Sequence, residues 1–374
     1  MRHTTLSRGV LDKTEGRDKD VEGPRSGPPR VLVGALGGTI AMRSGTGGAT
    51  PTETAESLVQ TVPCLAQVAE VTSRTLRNLP SASLDIPTLL GVLPELEAAC
   101  AEGAAGVVLT QGTDTLEEVA YLFDLVWGRS EPLVLTGAMR TADAVGADGP
   151  ANLLAAVTVA ASPDTAGRGC LVVMNDEVHH ARQVRKMHTT SLGAFASPAT
   201  GPVGRVTEGR VSFSSPPGRR RSLEVRPAAT TPRVGLVRLA LGDDTTGLEA
   251  LGEAYDALVI EAFGAGHVPS WWTDALARLA AAKPVVLASR TGAGCGLTGT
   301  YDFAGAESGL LRSGLIPAGD LDGLKARILL TVSMMASDRH AGAVEIFHAH
   351  ATQGSDNVTT TLTRASVPGE GGWV

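Results

Sequence analysis

Residues 106–126 read GVVLTQGTDTLEEVAYLFDLV. The run Gly106 to Leu109 is continuously apolar, as expected of a strand buried on both faces. Beyond it, Val119, Leu122, Phe123 and Val126 recur at the i, i+3, i+4, i+7 spacing of one helix face. Thr115 and Glu118 precede that pattern at the spacing of a capping box. Strand and helix are thus joined by a short polar turn that carries Thr113 and Asp114. In open α/β sheets, ligands bind outside the carboxyl ends of the strands. The first amides of a helix favour negative charge there.

The same rhythm extends in both directions. Val31–Ala35, Pro132–Leu135 and Cys170–Met174 are further short apolar runs, and Asp148-Gly149-Pro150 leads into Leu153, Leu154 and Val157 with proline in the first helical turn. Alternating strands and helices predict an α/β chain of two domains. The larger, N-terminal one spans residues 30–212 and holds a mostly parallel, doubly wound sheet. From Phe213 the pattern breaks into Ser, Pro and Arg, read as a linker over residues 213–232. A smaller α/β C-terminal domain is expected over residues 233–350. Its strands are predicted at Val234–Leu239, Leu258–Glu261 and Val285–Ala288, its helices at Trp271–Leu279 and Leu324–Met335. Residues 1–29, polar and rich in Arg, Gly and Pro, predict a disordered extension, and residues 351–374 a mobile tail.

Composition narrows the function classes. With 374 residues, 43% hydrophobic and 19% charged, the chain is large enough for a well-buried core and reads as globular. A formal charge of −7 disfavours nucleic acid as a partner, and Arg219-Arg220-Arg221 has no interleaved aromatic residue, as a solvated loop would not. Cys64, Cys100, Cys170 and Cys295 form no CxxC pair and read as buried thiols. No apolar stretch is long enough to cross a membrane, and Met1 to Pro29 lacks the apolar core of a secretory signal, so a cytoplasmic location is expected. His179, His180 and His188 lie near Asp176 and Glu177, but no HExxH occurs, and a surface or packing role is expected rather than a metal. Gly34-Ala35-Leu36-Gly37-Gly38 is not a dinucleotide fingerprint, and no cofactor is predicted.

A second junction, Gly37-Gly38-Thr39-Ile40-Ala41, follows the run Val31 to Ala35. Threonines at two strand ends, a carboxylate and no phosphate motif point to a hydroxyl nucleophile acting on a small amide or ester. Such a hydroxyl needs a partner to take its proton. A lysine desolvated beside Thr113 can do so. Taken singly, each residue has a bland explanation: Thr39 and Asp114 as helix caps, any one lysine as a surface charge. Their joint occurrence is what points to a site.

The stretches GGTIA and TQGTDTLEE, followed by TGAMR (residues 136–140) and ADGPANL (residues 147–153), resemble the bacterial-type L-asparaginase/glutaminase family in order and spacing. The resemblance runs from about Val31 to about His350 and includes Lys325-Ala326-Arg327 in the second domain. It implies hydrolysis of the side-chain amide of L-asparagine through an acyl-enzyme on Thr39, with Thr113, Asp114 and Lys186 as a hydrogen-bonded relay. It also implies that Gly112 and Ala138 face the substrate amide, that Ser81 meets the α-carboxylate and that Asp114 pairs with the α-ammonium. A homotetramer or homodimer is implied, with neighbouring subunits completing each site.

Two departures from the family pattern stand out. The segment Met42 to Thr54, where family members carry a tyrosine near the nucleophile, has none, although Gly45, Gly47 and Gly48 suit a flexible lid. His267 stands where an asparagine is frequent, and Tyr301 near an acidic position, which makes both candidates for a contribution from the neighbouring subunit. Alternatives are a broad glutaminase-asparaginase, since one methylene is worth only about 1–3 kcal/mol of discrimination, and a noncatalytic amino-acid sensor of the same fold. A subunit acting on glutamyl-tRNA is disfavoured by the acidic charge.

Overall fold

A computed structural model describes residues 27–45, 48–51, 53–218, 221–225 and 230–352. The expected N-terminal extension up to residue 26 and the expected tail from residue 353 lie outside the described residues. In chain order the strands of the first half are β1 (Arg30–Ala35), β2 (Met42–Gly45), β3 (Gly48–Pro51), β4 (Glu70–Thr75), β5 (Gly106–Thr110), β6 (Leu133–Thr136), β7 (Cys170–Met174), β8 (Glu177–His180), β9 (Arg185–Lys186), β10 (Phe195–Ala196), β11 (Gly204–Thr207) and β12 (Arg210–Phe213). The second half adds β13 (Val234–Arg238), β14 (Ala257–Ala262), β15 (Val285–Ser289) and β16 (Ile316–Pro317). The helices are α1 (Ala55–Gln60), α2 (Ile86–Leu90), α3 (Leu93–Ala101), α4 (Leu116–Val126), α5 (Gly149–Ala161), α6 (Leu248–Ala254), α7 (Thr273–Ala282), α8 (Glu307–Arg312), α9 (Gly323–Met335) and α10 (His340–Ala351).

The first half builds an eight-stranded sheet in the order β12-β11-β8-β7-β6-β5-β1-β4. From β4 to β7 the pairing is parallel, and β8, β11 and β12 extend it antiparallel. Every residue of β5, β6 and β7 is buried, which is why these strands are apolar up to the threonines that end β5 and β6. At the edge, β4 reads Glu-Val-Thr-Ser-Arg-Thr and is largely exposed; charge on an edge strand discourages pairing with another chain. The turn from β7 to β8 uses Asn175 and Asp176 at φ 53° and 60°, the signature of a two-residue hairpin. A second, four-stranded parallel sheet, β13-β14-β15-β16, forms the smaller domain.

Helices cover both faces of each sheet. On one face of the large sheet, Val33, Val108 and Val134 pack with Leu58 of α1 and with Leu153 and Val157 of α5. On the other, Leu32, Leu109 and Leu135 pack with Val119, Leu122 and Phe123 of α4. That apolar cluster continues through Ala326, Leu329 and Leu330 of α9 to Val259 and Val286 of the small sheet. Each such side chain stabilises by about 1.5–3 kcal/mol on full burial, so the two domains share a core across the α4–α9 layer. The far face of the small sheet closes on Trp272 and Leu276.

The expected capping box at the start of α4 does not form. Thr115 occupies the cap position, but its side chain makes no cap bond. Its hydroxyl instead donates to the Ser81 carbonyl at 3.0 Å, and burial of Glu118, opposed first by the charge of Arg327 on α9, raises its carboxyl above the ordinary value. A tertiary contact has taken the hydroxyl that the local motif needs.

The topology fixes where a ligand binds. From β1 the chain moves to β4 on one side, whereas from β5 it moves to β6 on the other. The turns after β1 and β5 therefore flank the switch point of the sheet, and the crevice between them is the expected binding site.

Candidate active site

Three turns meet in that crevice. Gly37 and Gly38 follow β1 at φ 107° and 92°, a region open to glycine and little else. A Cβ on Gly38 would stand 1.9 Å from the Gly112 backbone nitrogen, and one on Gly37 would stand 2.5 Å from the Leu79 carbonyl oxygen. A Cβ on Gly112 would meet Ser81 Oγ at 2.6 Å. Glycine is thus what lets the turns carrying Thr39, Thr113 and Ser81 touch one another. Thr39 itself is the first residue of a one-turn 3-10 helix, Thr39–Ala41, whose cap position is Gly38. The helix-cap explanation of Thr39 does not hold.

The second threonine belongs to a compact polar triad. Lys186 Nζ donates to Thr113 Oγ1 at 2.9 Å and to Asp114 Oδ1 at 2.9 Å. Thr113 is buried and the Lys186 side chain is 17% exposed, whereas that of Asp114 is 69% exposed. An ion pair open to water on one side contributes only about 0–1 kcal/mol. The triad is therefore an orienting device more than a stabilising one. It holds the lysine against a buried hydroxyl and leaves the Asp114 carboxylate largely open to water. Ser81, 3% exposed, accepts the Asp114 backbone N–H at 3.3 Å.

The third strand end is braced by the start of α5. Asp148 accepts the backbone N–H groups of Met139 and Arg140, both at 2.9 Å. Asn152 donates to the Gly137 carbonyl at 3.0 Å and accepts the Asn175 N–H at 2.9 Å. Here lies the physical link between TGAMR and ADGPANL: one segment holds the backbone of the other. Ala138, 1% exposed, lies in that braced turn.

The glycine-rich segment after Thr39 is a hairpin, β2 paired with β3, and residues 46 and 47 at its tip lie outside the described residues. His267 and Tyr301 do not join this group within the chain. They cluster on the small domain, where His267 Nε2 lies 3.2 Å from Glu307 Oε2 and its ring meets that of Tyr301 edge-on at 4.9 Å. Tyr301 and Phe303 beside it are exposed. Among the described residues no group of three His, Cys, Asp or Glu side chains could hold a metal ion. His179 is fully buried against Ser197 at 3.0 Å, and burial holds its imidazole below the ordinary value. His188 caps its own turn by accepting from Thr190 and Ser191.

Several neighbours of the site carry no local signal in the sequence. Glu117 sits on the apolar face of α4, 7% exposed, and accepts the Lys186 backbone N–H at 2.8 Å. Burial pushes its carboxyl above the ordinary value, opposed first by the charge of Lys325. Lys325 is 1% exposed; away from the site, in the His267 cluster, Glu307 is fully buried and accepts the N–H groups of Thr300 and Tyr301 at 2.8 Å. Only the oddity of a charge at a core position marks such residues beforehand.

The chain is similar to known proteins over most of its length. Residues 30–219 match the family model for Asparaginase, N-terminal, and residues 233–347 that for the Glutaminase/Asparaginase C-terminal domain. A protein named Probable L-asparaginase from Deinococcus radiodurans is 39% identical over 310 residues, 81% of this chain and 92% of that protein. The Glutaminase-asparaginase of Pseudomonas fluorescens biotype A is 34% identical over 316 residues, 81% of this chain and 86% of its own length. The crystal structure of a probable cytoplasmic L-asparaginase from Campylobacter jejuni aligns with a TM-score of 0.76 at 30% identity, covering 86% of this chain and 99% of that one. Both halves match, in the order in which the two sheets succeed each other, and the chain belongs to the asparaginase/glutaminase family.

Proposed function

We propose that the protein is an L-asparagine amidohydrolase that releases ammonia and L-aspartate through a threonine acyl-enzyme. The observation that carries this reading is the Thr113–Lys186–Asp114 triad at the switch-point crevice, against the turn bearing Thr39. Thr39 Oγ attacks the side-chain carbonyl carbon, and its proton leaves with the amide nitrogen as the C–N bond breaks. Water then adds to the ester, its proton returns to Thr39, and aspartate is released. Thr113 and Lys186 carry protons in these steps, with Asp114 orienting the lysine. Gly112 and Ala138 face the amide, Ser81 meets the α-carboxylate, and Asp114 pairs with the α-ammonium, since a zwitterion is costly to bury unpaired.

The working form is a homo-oligomer. His267 and Tyr301 of one copy approach the crevice of the next, in place of the tyrosine missing from residues 42–54. The exposure of Tyr301 and Phe303 supports that reading. L-Glutamine is the second candidate substrate, favoured by the likeness to the Pseudomonas glutaminase-asparaginase.

Ammonia release from L-asparagine and L-glutamine tests the proposal, with wild type beside Thr39→Ala. Wild-type turnover that drops by about 10³-fold or more in the variant supports it, and the ratio of the two rates identifies the substrate. A Thr39→Ala protein with undiminished turnover removes Thr39 as nucleophile. Aspartate binding without turnover by the wild type replaces the enzyme with a sensor.

A further inference from the structure

Lys186 reaches Thr113 at the end of a short segment, residues 182–185, and every one of these four residues is bonded to the smaller domain. Arg182 donates to the carbonyls of His350 and Ala351 at the end of α10, at 3.0 and 2.7 Å, and pairs with Asp320. Gln183 donates to Asp320 at 3.0 Å. The Val184 carbonyl accepts from Lys325 Nζ at 2.8 Å. Arg185 donates to the Gly292 carbonyl at 3.0 Å and lies 3.6 Å from the Asp322 carboxylate. At the end of the segment, the Lys186 backbone is pinned from the larger domain by Glu117.

Lys325 stands at the centre of this arrangement. Its side chain is 1% exposed, with Asp322 at 3.2 Å and the Val184 carbonyl as its polar contacts. A buried ammonium is costly unless its partners require it. Its charge is also the one that most opposes the effect of burial on Glu117, the carboxylate that fixes the Lys186 backbone.

We propose that the smaller domain sets the position of the relay lysine, and that Lys325 is the positioning residue through which it does so. The inference rests on the proton-carrying role proposed for Lys186. Lys325 touches neither substrate nor reacting atoms. It holds the backbone two residues before the relay lysine and opposes the burial that raises Glu117, the acceptor of the Lys186 N–H. Small displacements of a proton relay are expensive: about 1 Å costs on the order of 10²-fold in rate.

The test is Lys325→Met in the full chain, read by kcat for L-asparagine, by aspartate affinity in calorimetry and by thermal melting. The expected result is a folded protein whose kcat falls about 10- to 100-fold, with aspartate affinity within about threefold of wild type. Adding Glu117→Gln, which keeps an acceptor for Lys186 without a charge to neutralise, is expected to restore part of the loss. An unchanged kcat overturns the inference, as does an equal loss of kcat and aspartate binding, which marks a structural role only. If Lys325→Met does not fold, Arg185→Met is read in the same way and decides the matter. Lys186→Met runs in parallel. If it keeps turnover, the relay itself fails and the inference with it; if it is inactive while Lys325→Met matches wild type, only the positioning role fails.

Discussion

Gly38 and Gly112 bring two backbones into contact where most sites use side chains. An alanine at position 38 must adopt φ 92° and must also displace the turn that carries Thr113. Gly38→Ala is expected to lower turnover by about 100-fold and to lower the melting temperature, checked by ammonia release and calorimetry on one preparation. Thr113 and Asp114 separate kinetically. Thr113→Val removes the hydroxyl held by Lys186 and is expected to depress kcat alone, whereas Asp114→Ala removes both the partner of Lys186 and the proposed α-ammonium contact and is expected to depress kcat and raise KM together. A steady-state comparison that reverses this pattern overturns the assigned roles. The glycine turn after β1, and the placing of Thr39, Thr113 and Asp114 just beyond buried strands, were legible from strand–turn–helix spacing. The closeness of Gly38 to Gly112 was not, because that contact joins positions far apart in the chain.

The start of α9 shows how an element's end sets its charge balance. Asp322 caps the helix by accepting the Lys325 N–H at 2.9 Å. Burial alone would raise its carboxyl, but Lys325 and this cap bond outweigh burial and hold it below the ordinary value. A carboxylate with a depressed folded value contributes stability that is present above its unfolded value and lost as pH falls through the folded one. Asp322→Asn is therefore expected to destabilise by about 1–3 kcal/mol near neutrality, with the gap to wild type closing as acid protonates Asp322. Denaturant titrations at neutral and acidic pH check the sign, and a gap that widens in acid refutes it. Glu117 and Glu118 run the other way: burial raises both, so their contribution weakens as pH rises through their titration. Periodicity revealed α4, and continuous apolar runs revealed the buried strands. Both missed β4, a polar edge strand, and the β11–β12 hairpin, whose alternation is short and carries charge. The capping-box spacing misled, because a distant carbonyl competes for the same hydroxyl.

Viewed whole, the molecule is two sheets with a shared helical layer between them and an aromatic cluster left open on the smaller domain. If that cluster meets the next copy, Phe303→Asp is expected to shift sedimentation toward a smaller species and to lower ammonia release with it; an unaltered assembly excludes this face as the contact. The tethers on residues 182–185 have another consequence. Although each half has its own sheet and its own stretch of sequence, the halves are not interchangeable parts. If those tethers position Lys186 as proposed, a hybrid that joins this larger domain to the smaller domain of a relative is expected to owe its turnover to the seam. On that reading recombination between homologues succeeds only where Asp320, Asp322 and Lys325 travel together with Arg182, Gln183 and Arg185, and the heritable unit straddles the boundary between the domains.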